Sequence, residues 1–523
     1  MLTRIPSTAT PEQELKFQLG SGAVEALTEM FPLDSAEISQ LHAIYFDTPG
    51  HALRDGGFSL RVRREGETYI QTLKHRAGGG LFERDEWETE VPGPDLDLSL
   101  LAGTPAEAVV GEVTLAAIFT VEVTRRVHNW THGETQIEVC FDTGVIVAGD
   151  SREPVGEMEL ERVAGPPETL FTLARELQTK AALTLSFESK AERGYRLAGH
   201  DGVAALKAQR LAIGPETDAG TGFQMVMREA LIQVAGNASL LQRAHNPEVL
   251  HQARVGLRRL RAALGVFKAM LDGPGLKAAR EETRWLAGEL SPARDIDVFL
   301  LNAATPDEID ESPGRAALFR ALRIAQAEAC ERALAAVRSA RFRALLLSLG
   351  EWIEVGAWRG LDDPTHRQLR DGRATVVAAP VMDRLDHRLR KRSRRFMSLD
   401  PPARHALRKQ AKKLRYAAAF FGEAFADHPK RRTRFVTNLR ALQDRLGELN
   451  DMAVARGVAM QAVRKRSGEL AFAAGLEVAR LTRDEAGVLE AANKALKAYR
   501  RGRLFWSARN KDLNLSSPCL RGI

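Results

Sequence analysis

The chain has 523 residues, more than one ordinary hydrophobic core organises, so two or three domains are expected. Hydrophobic residues at 44% and charged residues at 27% exclude a disordered or fibrous chain. The net charge of +7 joins two unlike parts: residues 1–200 hold 18 Lys and Arg against 32 Asp and Glu, a net −14, and residues 201–523 hold 57 against 36, a net +21.

Cys140, Cys330 and Cys519 are too dispersed for a disulfide framework or a metal cluster, which points to a reducing compartment. No charged segment followed by an apolar core opens the chain, and no apolar run approaches the roughly 20 residues that span a bilayer. A cytoplasmic protein without a membrane partner is expected. A basic second part attracts polyanions, among them nucleic acid, polyphosphate and acidic lipid.

In chain order, residues 11–200 show short alternating segments separated by Gly, Pro and Asp: Glu12–Leu19, Phe58–Arg64, Tyr69–Lys74, Glu83–Val91, Gln136–Phe141 and Val155–Arg162. Such segments predict strands of a largely antiparallel sheet or barrel. The Gly- and Thr-rich run Ile213–Gly222 reads as the end of a linker over 201–222. From about Phe223 to Phe505 long Ala/Leu/Arg-rich helices are expected, followed by a tail over 506–523.

Alternation gathers charge on the first part's strands. Glu12, Glu14 and Lys16 share one face, as do Glu157, Glu159 and Glu161, Arg61 and Arg63, and Arg84, Glu86 and Glu88. Lys74 ends a further strand, and Arg125, Arg126, Glu138 and Asp142 lie on or near two more. Any one of these faces is ordinary solvated surface. Together, in a closed sheet, they would share a lumen. Carboxylates on one side would hold Mg²⁺ or Mn²⁺, and arginine forks on the other would clamp phosphate oxygens. No Ser/His/Asp or Cys/His arrangement accompanies them, so a covalent intermediate is not expected.

Glu12-x-Glu14-x-Lys16, Tyr45-Phe-Asp-Thr-Pro49, Leu60-Arg-Val-Arg63, Thr72-Leu-Lys74, Glu157-x-Glu159-x-Glu161 and Ser189-Lys-Ala-Glu-Arg-Gly-Tyr195 resemble, in this order, the CYTH family of triphosphate tunnel metalloenzymes. The resemblance implies an eight-stranded antiparallel β tunnel barrel with helices over residues 1–200, cleaving triphosphate groups with a divalent metal. By position it implies that Glu12, Glu14, Asp142, Glu157 and Glu159 hold metal, and that Lys16, Arg61, Arg63, Lys74 and Arg125 act on the phosphates. Arg84, Arg126 and Lys190 are further substrate-binding candidates, with Arg126 competing with Arg125 for one role. Glu86, Glu88, Glu138 and Glu161 would tune the lumen.

The second part contains a repeat. His251-Gln-Ala-Arg-Val-Gly-Leu-Arg-Arg-Leu-Arg261 aligns without a gap on His405-Ala-Leu-Arg-Lys-Gln-Ala-Lys-Lys-Leu-Arg415, and Phe267 pairs with Phe421. Arg294-Asp-Ile-Asp-Val298 echoes Asn450-Asp-Met-Ala-Val454 with a shift of register. On a helix His251, Arg254, Arg258 and Arg261 form one stripe, with Leu257, Leu260, Leu264 and Phe267 opposite. Residues 250–268 and 402–422 contain no Asp or Glu, and the stripe recurs as His405, Arg408, Lys412 and Arg415, which implies a bound anion.

These segments resemble the CHAD (conserved histidine α-helical) domain. The resemblance implies a C-terminal all-α pair of helical bundles over 223–505, with pseudo-repeats at about 223–360 and 375–505, whose basic surface binds long-chain polyphosphate. A multidomain α+β protein follows, with divalent-metal-dependent hydrolysis of inorganic triphosphate in the first part, polyphosphate binding in the second, and association with polyphosphate granules. The alternatives are a thiamine or other organic triphosphate hydrolase and a non-enzymatic granule scaffold. No specific nucleic acid is expected, because no aromatic residues interleave the basic stripes for base stacking.

Overall fold

The computed structural model of the protein describes residues 12–506 apart from 33–34, 76–79, 112, 200–203, 272, 303–312 and 465–467; the side chains of Glu12 and Arg84 also lie outside the described set. The chain divides into two compact units. One comprises residues up to Ala204 together with Ser339–Val355, and the other comprises Ala205–Arg338 and the chain from Gly356 onward. The expected helical region therefore lends one of its segments to the first unit.

The first unit is built on nine strands: β1 (Glu12–Leu19), β2 (Glu37–Asp47), β3 (Phe58–Glu65), β4 (Thr68–His75), β5 (Glu83–Val91), β6 (Ala116–His132), β7 (Thr135–Ala148), β8 (Ser151–Ala164) and β9 (Leu183–Ser186). They pair antiparallel in the order β5-β4-β3-β2-β6-β7-β8-β1-β9. This corrects the expected eight-stranded closed barrel. β5 meets β1 only at Glu12↔Arg84 and Gln13↔Glu83, because from Lys16 to Leu19 that edge of β1 is taken by β9.

Alternation decides what faces where. In β3, Phe58, Leu60 and Val62 are buried in apolar surroundings, while Ser59, Arg61 and Arg63 line a cavity of about 1580 Å³ within the sheet. The face opposite the cavity packs into a core around Leu53, Leu60, Leu73 and Leu101, while a second core around Tyr45, Phe119, Val121 and Tyr195 borders the cavity itself, which Tyr45 and Val121 help to line. Each fully buried Leu, Val or Phe contributes about 1.5–3 kcal/mol.

One helix places a functional side chain. Ser189 accepts a hydrogen bond from the Glu192 backbone N–H, and the Ser189 N–H donates to the Glu192 carboxylate, a capping box that starts the helix at Lys190. Gly194 lets that helix approach β6, since a Cβ there would lie 2.1 Å from the Phe119 ring. Lys190 is thereby brought to the inner wall.

The second unit is helical among its described residues. Helices Ala219–Arg243, Pro247–Val266 and Pro274–Asn302 recur as Ala374–Ser393, Pro401–Phe421 and Pro429–Val463. Asp218, Asn246 and Asp400 cap three of them, and Pro247 and Pro401 occupy the first turn, where a missing N–H costs nothing. The expected linker run is partly helix, since Gly220 and Gly222 already lie inside Ala219–Arg243. Trp506, expected in the tail, is buried against Phe435.

Equivalent residues of the repeat meet one another, as they must around a local two-fold axis. The Ala219 N–H donates to the Gly372 carbonyl and the Ala374 N–H to the Thr217 carbonyl, both at 2.8 Å. Phe267 packs on its equivalent Phe421 at 5.5 Å. Leu257, Leu260 and Leu264 are buried, as are their equivalents Ala411, Leu414 and Ala418. No described helix is long and apolar enough to cross a membrane.

Candidate functional site

Cross-strand register assembles the cavity of the sheet unit. On one wall Tyr45 faces Arg61, Arg61 faces Thr72, Thr72 faces Glu88, and Lys74 faces Glu86. Arg61 and Arg63 reach Glu88 at 3.9 and 4.0 Å, Thr72 donates to Glu88 at 2.8 Å, and Lys74 pairs with Glu86 at 3.1 Å. The Nε atoms of Arg61 and Arg63 are buried without a hydrogen-bond partner among the described residues. Burial, reinforced by the neighbouring Arg61, pulls the Arg63 guanidinium below its usual pKa.

The opposite wall is a tight ionic node. Lys16 lies 2.8 Å from Glu159 and 3.4 Å from Glu14. Arg125 grips Asp142 with two hydrogen bonds of 2.7 Å and reaches Glu159 at 2.6 Å. Lys190 contacts Asp142, Glu159 and Glu157 at 2.7, 3.1 and 3.6 Å. Burial alone would raise the Glu159 pKa, but Lys16, Lys190 and Arg125 outweigh it and hold the carboxyl well below the usual range. Burial would lower the Lys190 and Lys16 pKa values, yet the surrounding carboxylates keep both ammonium groups above theirs. These groups stay charged at neutral pH, which suits the lumen to a polyanion and its counter-cation.

Lys16, Arg61, Arg63, Lys74, Arg125, Lys190, Glu14, Asp142 and Glu159 all line this one cavity. Two expected residues do not. Glu157 is on the same side of β8 but is covered by Lys190 and by Arg193, 3.3 Å away. Arg126 follows Arg125 directly and so points to the other face of β6. The expectations for Glu12 and Arg84 concern side chains outside the described residues. Strand alternation gives no sign of Arg193, although it stands in the Ser189–Tyr195 motif, nor of Tyr45, whose hydroxyl accepts from Arg61 at 3.4 Å.

A divalent ion can be tested against this donor set. Among the described residues no group of three or more His, Cys, Asp or Glu forms a metal cage. Mg²⁺ does not require one, since it is commonly held by one or two carboxylates, waters and substrate phosphates. Glu14 and Glu159 already converge on a single cation, the Lys16 ammonium, and offer only hard oxygen donors. The residues fit such an ion.

The helical unit holds a second constellation. His251, Arg254, Arg258, His405, Arg408, Lys412 and Arg415 lie on Pro247–Val266 and Pro401–Phe421. The stripe segments lack acids, but neighbouring helices supply them: Asp295 lies 3.9 Å from Arg254 and Asp451 lies 4.0 Å from Arg408. His405 Nδ1 meets Asn450 at 2.7 Å, and Arg258 donates to Tyr416 at 3.3 Å. Burial, with Arg408, Arg258 and Arg415 nearby, pushes the Lys412 ammonium down to about 7. Burial, with Arg294 and Arg258, pushes His251 down to about 4, so it is neutral at physiological pH. The stripes thus converge across the repeat. Arg261 stands apart, exposed and with Arg284 as its charged neighbour.

Comparison with known proteins finds two families in succession along the chain. Residues 10–195 match the CYTH domain and residues 225–459 the CHAD domain. The chain is a CYTH domain followed by a CHAD domain. It is 32% identical over 160 residues to an inorganic triphosphatase of Haemophilus influenzae, across 29% of this chain and 44% of that protein, so the match spans less than half of the relative. It is 27% identical, across 93% of this chain and 95% of the other, to an uncharacterized protein of Mycobacterium tuberculosis. Among solved structures, the CHAD domain from the plant Ricinus communis is 30% identical and covers 58% of this chain and 100% of that one, with a TM-score of 0.48.

Proposed function

We propose that the sheet unit hydrolyses linear triphosphate, with inorganic triphosphate as substrate and Mg²⁺ or Mn²⁺ as cofactor, and that the helical unit binds long-chain polyphosphate. The observation that carries the first half is one cavity with Arg61, Arg63 and Lys74 on one wall and Glu14, Asp142 and Glu159 on the other. Glu14 and Glu159 hold the ion, with Glu12 as a further ligand by its place in the motif. A bound divalent ion neutralises phosphoryl oxygens and lowers the pKa of an attacking water. Arg61 and Arg63, both on the cavity lining, grip the phosphate chain through forked, charge-assisted hydrogen bonds. Arg125, Lys16 and Lys190 are held by Glu159 and Asp142 before substrate enters, so little reorganisation is needed when charge builds on the leaving phosphate. Water, rather than a side chain, is the nucleophile in this reading. The name of the Haemophilus influenzae relative supports it.

A second reading has its own observation. Pro92, Leu100 and Ala102 also line the cavity, an apolar margin that would suit the organic group of thiamine triphosphate or a nucleotide. Phosphate release from equal concentrations of tripolyphosphate, thiamine triphosphate and ATP separates the two: the inorganic reading expects tripolyphosphate to have the highest kcat/KM. For the helical unit, the support is the excess of Arg and Lys over Asp295 and Asp451 where the two stripes meet. Titration of polyphosphate into the protein at several salt concentrations tests it, because displaced counter-ions make affinity fall linearly on a log–log scale.

A further inference from the structure

The chain leaves the helical unit after Arg338, contributes Ser339–Val355 to the sheet unit, and returns at Gly356. The helix Ala340–Val355 in that excursion meets the sheet at its weakest seam, where β5 pairs with β1 through two residues only. Glu354 accepts a hydrogen bond from the Leu81 N–H at 3.1 Å. Gly350 lies against Phe82, closely enough that a Cβ would sit 3.0 Å from the ring and 3.6 Å from Leu185 of β9. Glu351 is ion-paired with Arg175 on the neighbouring helix, and Phe82 also packs on Phe171 and Phe187.

Leu81 and Phe82 are the residues that enter β5. The Phe82 carbonyl accepts the Glu14 N–H at 3.0 Å, and Gln13 is tied to Glu83 at 2.6 Å. A short path of direct contacts therefore runs from Glu354 and Gly350 through Leu81 and Phe82 to the strand whose Glu14 and Lys16 face the cavity. We infer that the helix Ala340–Val355 is a positioning element of the triphosphate site, fixing the β5–β1 seam through Glu354 and Gly350 and hence the placement of Glu14 and Lys16. The hydrolytic site thereby depends on a segment encoded inside the helical region. This inference rests on the triphosphatase reading for its activity arm only.

Full-length Glu354→Ala, Glu354→Gln and Gly350→Leu proteins test it. The alanine loses the acceptor for Leu81, the glutamine keeps an oxygen acceptor, and the leucine displaces Phe82. Small misplacements of a site are costly to rate, so Glu354→Ala and Gly350→Leu are expected to lose about tenfold in tripolyphosphate kcat/KM. The loss should appear in KM and in the metal concentration for half-maximal rate, at temperatures well below the melting transition. Glu354→Gln should behave as the unaltered protein. A helix that only adds stability would lower Tm and leave these constants unchanged, which overturns the inference. Hydrogen exchange supplies a readout free of activity: amides of residues 13–18 should exchange faster in Glu354→Ala and Gly350→Leu and not in Glu354→Gln. If no variant alters that exchange, positioning fails. If exchange responds as described while no protein releases phosphate, positioning stands and the triphosphatase reading falls.

Discussion

Glu159 is the centre of the ionic node, and replacing it with glutamine is the most informative single change. Its carboxylate touches three cations, Lys16 at 2.8 Å, Arg125 at 2.6 Å and Lys190 at 3.1 Å. The buried node sets Glu14, Asp142, Glu157 and Glu159 against Lys16, Lys190 and Arg125, with Arg193 shared between Glu157 and Glu153. Glutamine preserves shape but leaves one buried positive charge uncompensated, a defect that costs about 3–5 kcal/mol. Lys16 suffers most, since only Glu14 at 3.4 Å remains, whereas Arg125 and Lys190 keep Asp142. At about 2–4 °C per kcal/mol for a unit of this size, the unfolding transition of the sheet unit should fall by roughly 10 °C at pH 7. The sign of the pH dependence follows from the depressed pKa. The stabilisation is fully present above the unfolded carboxyl value, about 4.3, and is lost as pH falls through the lower folded value. The gap between the two proteins should therefore be constant from neutral pH to about 5 and close on further acidification. At a temperature where both are folded, tripolyphosphate hydrolysis should fall about 100-fold or more, as for loss of a preorganised charge. Differential scanning calorimetry across pH, paired with phosphate release, measures both. An unshifted transition, a gap that persists in acid, or a rate equal to that of the unaltered protein would refute the reasoning.

Arg63→Ala removes a buried fork from the phosphate wall. It should raise KM for tripolyphosphate and lower kcat, together costing about 10–100-fold, the value of a charge-assisted hydrogen bond; unchanged steady-state constants would remove Arg63 from the site. In the helical unit, Lys412 titrates at about 7, so binding a polyanion there takes up a proton above that pH. Polyphosphate affinity should decline as pH rises from about 6.5 to about 8.5, by no more than about tenfold per unit for one proton. Lys412→Met should flatten the decline, as isothermal titration at several pH values would show. Arg254→Ala combined with Arg408→Ala should weaken polyphosphate binding and reduce its salt dependence more than either change alone.

Much of the site is legible in the chain because charge alternation has a period of two. Glu14 with Lys16, and Arg61 with Arg63, sit on one face of a strand wherever the strand lies, so the cavity walls can be read locally. Which strands become neighbours is not a local property. The four-residue β9 gives no periodic signal, yet it takes the edge of β1 and makes the sheet nine-stranded. β2 is absent from the expected strands and β6 is expected only as a strand near Arg125 and Arg126, although β2 buries Leu41, Ala43, Tyr45 and Asp47 in strict alternation. Glu157 satisfies the same pattern as Glu159 and still misses the cavity, because the helix Lys190–Ala198 lays Lys190 and Arg193 over it. In the helical unit the duplicated stripe is visible by direct comparison of the two segments. Its counter-charges are not, since Asp295 and Asp451 arrive from other helices. Arg261 fits the helical spacing but has Arg284, not the second stripe, as its charged neighbour.

Metal-dependent triphosphate hydrolysis is proposed for the cavity between the arginine wall and the Glu14–Glu159 wall. Release of phosphate from inorganic tripolyphosphate by the purified full-length protein, first in excess chelator and then with Mg²⁺ or Mn²⁺ restored, tests it most directly. No turnover in chelator and full recovery on return of the ion are expected; turnover undiminished in chelator would contradict the proposal.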